Sequence, residues 1–438
     1  MRQWFIHPGS VVLIVVAAIS LRLAVGAWFE TRLPPGRQFE FGDSEGYWVL
    51  GQTIAAGEEY QYQSPDARVF RMPGYPAVLA PIFLLFGANA SPIWGRALSA
   101  VLGGVTAALM VGWGALLFDL RTGLIAGWIT AFYPGALAMG SFVLSEAPFM
   151  PLMVAHLALA TAAFKATSTR NGVLLCVAAG LAAAGAIYMR PSWLLFPPLA
   201  LMMGMVLSRH RWRIASQSAI VVATICICLT PWWIRNFQVT GHFVATTLQV
   251  GASLHDGLNP RADGRSNMEL TEREELELAR RSPTFFEHFV SGDAIGTNFR
   301  RSEYDTDKAF RSMALEWSIA HPLPVIHLVG IKFSRMWNVI PNEAMFRSWP
   351  MKLLVAVTFT PLFLLGCFGA IKFSRLGWPC WLAGLPVLYF TLLHVIFVAS
   401  VRYREPAMLG LIVLASGLIA QWLGKSENVA SKPLIAGG

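Results

Sequence analysis

Residues 9–29 read GSVVLIVVAAISLRLAVGAWF, a run in which Arg22 is the only charged side chain. A helix of about 20 apolar residues crosses about 30 Å of hydrocarbon, because each residue adds about 1.5 Å. Comparable runs recur along the chain, separated by short basic segments and by two long polar stretches. The sequence therefore predicts an all-α polytopic membrane protein.

The composition favours the same class. Apolar residues make up 55% of the 438 residues and charged residues only 13%, about half the charged share of a soluble domain. The net charge of +9 does not indicate a nucleic-acid partner, because the basic residues do not cluster with aromatic residues on one soluble domain. The five cysteines lie in apolar segments, and their spacing predicts neither disulfides nor a metal site. We therefore expect membrane lipids as surroundings and no nucleic acid.

Ten segments are predicted to span the membrane. They are Gly9–Phe29, Pro92–Phe118, Gly123–Gly140, Phe142–Phe164, Gly172–Met189, Ser192–Leu207, Ala215–Ile234, Trp349–Ile371, Trp378–Ser400 and Pro406–Gly424. The two polar stretches each contain an apolar segment, Gly74–Gly87 and Pro322–Ile340. The first is too short to span comfortably, and the second carries Lys332 and Arg335. We expect both to lie in the membrane interface.

Charge predicts the orientation, because Lys and Arg accumulate in short cytoplasmic loops. With the N-terminus inside, the inner segments contain only Asp119 and Glu427 as acidic residues. Their basic residues are Arg2, Arg121, Lys165, Arg170, Arg209, Arg211, Arg213, Lys372, Arg375, Lys425 and Lys432. Both long loops then lie outside. We expect a bacterial-type inner membrane protein whose site faces the periplasm.

The chain divides into three parts. Residues 1–235 contain the first seven predicted helices and the first outer loop, 30–91. Residues 236–348 form the second outer loop, in which the sequence of Asp305–Ala320 predicts an amphipathic helix. Residues 349–438 contain the last three helices and a short cytoplasmic tail.

Several arginines lie at the predicted outer side, against the usual bias. They are Arg71, Arg190, Arg235, Arg402 and Arg404. Guanidinium groups bind phosphate oxygens through paired hydrogen bonds, so a lipid phosphate would compensate them. Any single one could instead reach lipid headgroups or pair with a carboxylate such as Glu405. As a set, they predict a site for an anionic ligand.

Two further charges lie in or at the ends of predicted spans. Arg22 is a functional candidate because charges at that depth are costly, although its long side chain could also reach the outer interface. Glu146 lies in SEAP (145–148), at the outer start of the fourth span. The simplest role of a carboxylate there is to complement the positive end of the helix.

The first outer loop contains FGDSEGY at 41–47. Tyr47, Leu50 and Ile54 form one apolar stripe, which predicts a short surface helix that starts just after Asp43. Asp43 could therefore be an N-cap. It could also be a carboxylate at the membrane–water boundary that takes a proton from an incoming hydroxyl, with Glu45 as a second candidate.

Several segments resemble one known family in order and spacing. They are GDSEGYWVLGQTIAAGEEY (42–60), RMPGYPAVLAPIFLLFG (71–87), SEAPFMPL (145–152), RPSWLL (190–195), PWWIRNFQVTGHFV (231–244), GLNP (257–260) and RYREP (402–406). The set resembles the GT-C glycosyltransferases of the dolichyl-phosphate-mannose protein mannosyltransferase and aminoarabinose transferase type. The resemblance implies the GT-C fold with about 10 to 12 transmembrane helices and two large outer loops with juxtamembrane helices.

The resemblance also implies an activity. Members move one sugar from a polyprenyl-phosphate donor to an acceptor hydroxyl on the outer face, with inversion. By that pattern Asp43 is the general base, and Arg402 with Tyr403 holds the donor phosphate. The further substrate-binding residues are expected to be Arg71, Tyr75, Glu146, Arg190, Arg235 and Arg404. The family often has an acidic residue directly after the first Asp, whereas this chain has Ser44 there and Glu45 one position later.

Two other functions stay open. A surface-polysaccharide polymerase or ligase also uses outer arginines, although an aspartate so early in the first loop argues against it. A lipid-linked sugar transporter or flippase typically shows inverted repeats and charges at mid-membrane, and the sequence shows no repeated half. A divalent cation on Asp43 or Glu146 also stays open, although no ligand cluster predicts one. The sequence does not identify the sugar, or whether the acceptor is a lipid, a glycan or a protein.

Overall fold

The computed structural model describes residues 8–62, 67–281, 300–341 and 348–424, and all regular elements within these residues are helical. The α-helices are α1 Pro8–Glu30, α2 Gly42–Ala56, α3 Gly74–Phe86, α4 Pro92–Leu117, α5 Leu120–Phe132, α6 Pro134–Met139, α7 Glu146–Lys165, α8 Thr169–Met189, α9 Phe196–Leu207, α10 Arg211–Thr240, α11 Val250–Gly257, α12 Glu269–Arg281, α13 Arg300–Ala320, α14 Pro322–Met336, α15 Trp349–Phe373, α16 Trp378–Ile396 and α17 Val401–Leu423. The predicted all-α class is confirmed. The terminal charges Arg2, Lys425, Glu427 and Lys432 lie outside the described residues.

Eight helices of the described chain are long and apolar enough to cross a membrane: α1, α4, α7, α8, α10, α15, α16 and α17. The multi-pass class is therefore confirmed, whereas the predicted count of ten to twelve spans is not. The predicted span Gly123–Gly140 is divided between α5 and α6. The predicted span Ser192–Leu207 contains only the 12-residue helix α9 after a 3-10 turn.

Arg22 stabilises the break between α5 and α6. Pro134 occupies the first turn of α6 and cannot donate a backbone hydrogen bond, and the last carbonyls of α5 lack helical partners. The fully buried Arg22 donates to the carbonyl oxygens of Thr130 at 3.1 Å, Ala131 at 3.4 Å and Ala136 at 3.2 Å. These contacts give Arg22 a structural role. Its side chain does not reach the outer interface, which was one of the two alternatives predicted from the sequence.

Two glycines make room for this guanidinium. A Cβ added to Gly103 or Gly140 would collide with Nε of Arg22. Helices α4 and α6 can therefore approach α1 closely only because these two positions carry no side chain. The break is held by one arginine that packs between two glycines.

We expect Arg22→Met to destabilise the protein, because it leaves buried carbonyl groups without donors at a cost of about 1–3 kcal/mol each. Thermal unfolding in detergent measures the effect as a lowered midpoint temperature. Val12→Met is the matched control, since Val12 lies on the same helix and is exposed. An unchanged midpoint for Arg22→Met would show that other groups satisfy these carbonyls.

Several of the predicted inner cations that the structure describes lie together at one end of the helix bundle. Lys165 donates to the carbonyl of Leu116, and Arg121 donates to that of Leu423 at 3.0 Å. Helix α7 runs from Glu146 to Lys165, so Glu146 lies about 30 Å away at the opposite end. The two predicted sets of charges are thus separated along the bundle, and the leaflet that each end faces stays a prediction.

The segments predicted to be amphipathic form α13 and α14, which meet at an angle of 106° and together are also apolar and long enough for one bent span. Their exposed apolar residues include Ile319, Leu323 and Ile326. Lys332 points inward instead and donates to the carbonyl of Ile396 at 2.7 Å. The apolar face of α14 therefore lies outward, and the Lys332 ammonium group donates to the last carbonyl of α16. The interfacial position of α14 stays a prediction.

Helices α2 and α3 pack together and fix the first outer loop. The rings of Trp48 and Phe83 lie 4.7 Å apart, and those of Tyr47 and Tyr75 lie 5.2 Å apart. Gly51 lets the backbones approach, because a Cβ there would lie 3.0 Å from Cβ of Leu79. This packing fixes the position of the first turn of α2, which contains Asp43.

Candidate active site

Asp43 lies inside the first turn of α2 and is not its N-cap. The N-cap is Phe41, whose side chain makes no capping bond, so the predicted N-cap role of Asp43 is wrong. The Asp43 carboxylate instead accepts hydrogen bonds from Arg71 at 2.8 Å and from Arg402 at 3.2 Å. Burial alone would raise the pKa of this carboxyl, but the guanidinium groups of Arg71 and Arg402 hold the pKa well below its usual range. Asp43 is therefore an ionised group at neutral pH.

Glu146 is the second carboxylate of the site and is 1% exposed. It is the first residue of α7, and Arg190 follows the last residue of α8. These ends meet, and Arg190 contacts the carboxylate at 2.5 Å. Arg402 donates to both oxygens of Glu146, through Nε and through Nη2 at 3.3 Å. Glu146 therefore has specific partners beyond the positive end of its own helix.

Arg402 joins the two carboxylates. It occupies the first turn of α17, where the Ser400 side chain accepts a hydrogen bond from its backbone N–H at 3.4 Å. The prediction that this helix begins at Pro406 is wrong, because the helix begins at Val401 and Pro406 lies within it. The earlier start places Arg402 on a rigid element whose side chain reaches Asp43 and Glu146.

We call Asp43, Glu146, Arg71, Arg190 and Arg402 the charge cluster. Its ion pairs connect α2, the loop before α3, α7, the turn after α8, and α17. Three guanidinium groups face two carboxylates, so the cluster has a formal charge of +1. Because buried like charges repel strongly, this surplus favours the binding of an anion.

Aromatic rings hold the arginines of the cluster. The guanidinium of Arg71 lies 4.9 Å from the ring of Tyr47 and 5.0 Å from that of Tyr62. The predicted Tyr403 lies 5.7 Å from the guanidinium of Arg402. Cation–π contacts of this kind stabilise and orient a guanidinium in a dry site. No site role was predicted for Tyr47 or Tyr62; Tyr47 lies within the family segment 42–60, and Tyr62 lies just after it.

Three predicted residues lie around the cluster without joining it. Tyr75 is fully buried and packs against Tyr47. Glu45 is exposed, and among the described residues it has no ion pair with the cluster. Arg235 donates to the carbonyl of Tyr60 at 3.4 Å, and the Tyr60 hydroxyl donates to the carbonyl of Arg71 at 3.2 Å. Arg235 is therefore linked to the cluster through Tyr60, whose hydroxyl donates to the backbone of Arg71.

Arg404 lies outside the cluster, beside an apolar cavity that Arg402 also lines. It is 1% exposed and donates to the carbonyls of Met336, at 3.3 Å, and Asn338. Its guanidinium also contacts Glu405 at 3.4 Å and lies over the ring of Phe359. Its donors hold the end of α14, so its contacts are structural and the predicted pairing with Glu405 is present.

An apolar cavity of about 290 Å³ reaches the cluster from the side. It lies between α1, α6, α15 and α17, and its walls include Phe29, Phe142, Leu354 and Arg402. Leu354 and the wall residue Phe132 are exposed on the outer surface of the bundle. The cavity thus connects an exposed apolar surface to a guanidinium of the cluster.

The residues of the cluster do not fit a divalent cation. The described part of the chain contains no group of three His, Cys, Asp or Glu side chains with the spacing of a metal site. Both carboxylates already accept hydrogen bonds from guanidinium groups, and these positive charges would repel a second cation. The cation considered from the sequence therefore has no suitable donor set here.

Comparison with known proteins gives matches of structure only. The sequence matches no family model and no curated protein. The oligosaccharyltransferase AglB from Archaeoglobus fulgidus, solved with an inhibitory peptide and a dolichol-phosphate, is 13% identical with a TM-score of 0.60, and the match covers 96% of this chain and 51% of that one. The apo form of the A. fulgidus oligosaccharyltransferase has a TM-score of 0.58 at the same identity and coverage.

ArnT from Cupriavidus metallidurans bound to undecaprenyl phosphate is 16% identical, and the match covers 95% of this chain and 80% of that one. Its TM-score of 0.44 is too low to establish a shared fold. The chain spans about half the length of the oligosaccharyltransferases that it matches. The chain therefore shares the fold of the matched part of these oligosaccharyltransferases, which supports the predicted resemblance for the fold alone.

Proposed function

We propose that this protein is a membrane glycosyltransferase that moves a single sugar from a polyprenyl-phosphate donor to an acceptor hydroxyl, with inversion. Transfer takes place at the outer face of a bacterial-type inner membrane. The single observation that carries the proposal is the charge cluster, in which an ionised Asp43 and a surplus guanidinium charge meet at the end of an apolar cavity. Such a site suits a ligand with a phosphate at one end and a hydrocarbon chain at the other.

The donor phosphate binds beside Arg402, and its polyprenyl chain lies in the apolar cavity. Arg402 is the cluster residue that also lines the cavity, so one guanidinium reaches both regions. Arg71 and Arg190 lie on the other sides of the carboxylates. Paired hydrogen bonds from guanidinium groups then fix the phosphate and the anomeric carbon attached to it.

In the reaction, the acceptor hydroxyl oxygen forms a bond to the anomeric carbon, and the bond from that carbon to the phosphate oxygen breaks. The phosphate leaves with the electron pair and becomes a monoester with an additional negative charge. The hydroxyl proton passes to Asp43. Guanidinium groups in a partly dry site stabilise the charge that develops on the phosphate, and one displacement of this kind inverts the anomeric centre.

Binding of the donor also makes Asp43 a better base. In the structure, Arg402 contacts both Asp43 and Glu146, and the charges of Arg71 and Arg402 together lower the pKa of Asp43. A phosphate competes for the same guanidinium and weakens its contact with Asp43. The carboxylate then accepts a proton more readily when the donor is bound. Without the donor, the pKa of Asp43 stays low and the carboxylate remains unprotonated.

We expect Asp43→Asn to lower turnover by a factor of about 10²–10⁴, the usual contribution of a general base. The purified protein in lipid is mixed with undecaprenyl-phosphate sugars and a cell-envelope extract, and release of undecaprenyl phosphate is measured. Thermal unfolding shows whether the variant is folded. Glu58→Gln is the matched control, because Glu58 is an exposed carboxylate just after the same helix.

Two outcomes would contradict the role of Asp43. Equal turnover of Asp43→Asn and the wild type would remove Asp43 from the chemistry. Loss of turnover in Glu45→Gln, with Asp43→Asn active, would assign the base to Glu45.

A separate outcome concerns the reaction itself. Transport of the lipid-linked sugar across the membrane of liposomes, without release of undecaprenyl phosphate, would favour the transporter interpretation.

We expect Leu354→Trp to impair long donors selectively, because the larger side chain fills part of the cavity that Leu354 lines. The KM of an undecaprenyl-phosphate donor should rise about tenfold, a loss of about 1.4 kcal/mol. A donor with a chain of two isoprene units should be little affected. Leu364→Trp is the control, because Leu364 is exposed on the same helix and does not line the cavity. Equal effects on both donors would place the lipid chain elsewhere.

A further inference from the structure

Arg71 lies in a segment without regular secondary structure. Residues 67–72 precede α3 and form bends, so no helix or sheet ladder fixes the backbone there. The position of the Arg71 side chain depends on the partners of this segment. One partner is Leu248, whose backbone N–H donates to the carbonyl of the fully buried Val69 at 3.0 Å. Another is the Tyr60 hydroxyl, which donates to the carbonyl of Arg71.

Glu303, in the first turn of α13, supplies the acceptors for the same segment. Its carboxylate accepts from the backbone N–H of Val69 at 3.1 and 3.2 Å and from that of Arg68 at 3.1 Å. A carboxylate that bridges two successive backbone N–H groups fixes the peptide planes between them. Arg71 follows only two residues after Val69. A side chain of the second outer loop thus holds the backbone that leads to the charge cluster.

We infer that Glu303 is a positioning residue for the transfer reaction, which it assists by fixing the backbone that aims Arg71 at Asp43. This inference rests on the proposed function. Loss of the carboxylate leaves two N–H groups unsatisfied, and the segment relaxes away from its observed path. The Arg71 guanidinium then loses its alignment with Asp43 at 2.8 Å, and the cluster holds a phosphate less well. The second outer loop thereby acts on the donor site.

The surroundings of Glu303 make this contact sensitive to pH. Arg235 of α10 faces it with a positive charge, and Asp307 of its own helix faces it with a negative charge. The neighbouring side chain of Arg68 pairs with Glu59. Burial raises the pKa of the Glu303 carboxyl to about 7, against the opposing effect of its hydrogen bonds to Val69 and Arg68. The carboxylate form that binds both N–H groups best therefore predominates above pH 7 and is lost as the pH falls below it.

Binding of undecaprenyl phosphate to the full-length protein in detergent tests this role. We expect Glu303→Ala to weaken binding about tenfold, and Glu303→Gln, which keeps one acceptor oxygen, to weaken it less. Asp305→Asn is the matched control, because Asp305 is exposed on the same helix turn, and it should bind as the wild type does. In an Arg71→Met background, Glu303→Ala should have no further effect if it acts through Arg71.

The pH dependence of lipid binding tests the role of the Glu303 carboxylate, because a residue that only supports the fold would not change it. The lipid phosphate also titrates, near pH 6, so the wild type is compared with Glu303→Gln at pH 6 and pH 8. The wild type should lose more affinity at pH 6 than the variant does. Equal pH dependence, or an undiminished effect of Glu303→Ala in the Arg71→Met background, would overturn the inference. If Arg402→Met binds the lipid as tightly as the wild type, the proposed donor site itself fails, whatever Glu303 does.

Discussion

The rest of the site depends on the contact of one guanidinium with two carboxylates. Arg402 of α17 bonds Asp43 of the first outer loop and Glu146 of α7, so three segments that are far apart in the chain meet at one side chain. A buried charge is costly unless it is paired. Each carboxylate also contacts a second arginine, Arg71 or Arg190. The ends of several helices are thereby held together at one end of the bundle.

The charge cluster has one more positive than negative charge, and it lies beside an apolar cavity that opens at the side of the helix bundle. A guanidinium that is bonded to carboxylates is preorganised, because little rotamer freedom remains to be lost when an anion arrives. The aromatic rings around Arg71 and Arg402 restrict both groups further. The charge cluster therefore combines an anion site and a base within one network, so that binding of an anion changes the basicity of Asp43.

Much of the fold and part of the site could be predicted from the sequence. The apolar runs predicted all eight helices of the described chain that are long enough to cross a membrane, and the family segments contain Asp43, Glu146 and Arg402, which meet in the charge cluster. The N-cap role of Asp43 was wrong because the extended backbone of Phe41 starts α2 one residue before Asp43. A stripe of apolar residues shows the face of a helix, but it does not fix the first residue.

Long-range contacts could not be predicted in this way. Arg402 and Arg404 are the same residue type two positions apart, yet successive helical positions turn by about 100°, so the two side chains leave the helix on different sides. One reaches the cluster and the other holds the end of α14. Arg22 was a functional candidate because of its depth, whereas three of its four carbonyl partners lie at a helix break more than a hundred residues away. Glu303 gave no signal, because its partners are backbone N–H groups on the other outer loop.

The most direct test of the central claim is an experimental structure of the protein with undecaprenyl phosphate. We expect the phosphate within hydrogen-bonding distance of Arg402, the lipid chain in the cavity beside Leu354, and a longer contact between Arg402 and Asp43. A phosphate bound elsewhere, with the charge cluster unchanged, would contradict the claim that this cluster is the donor site.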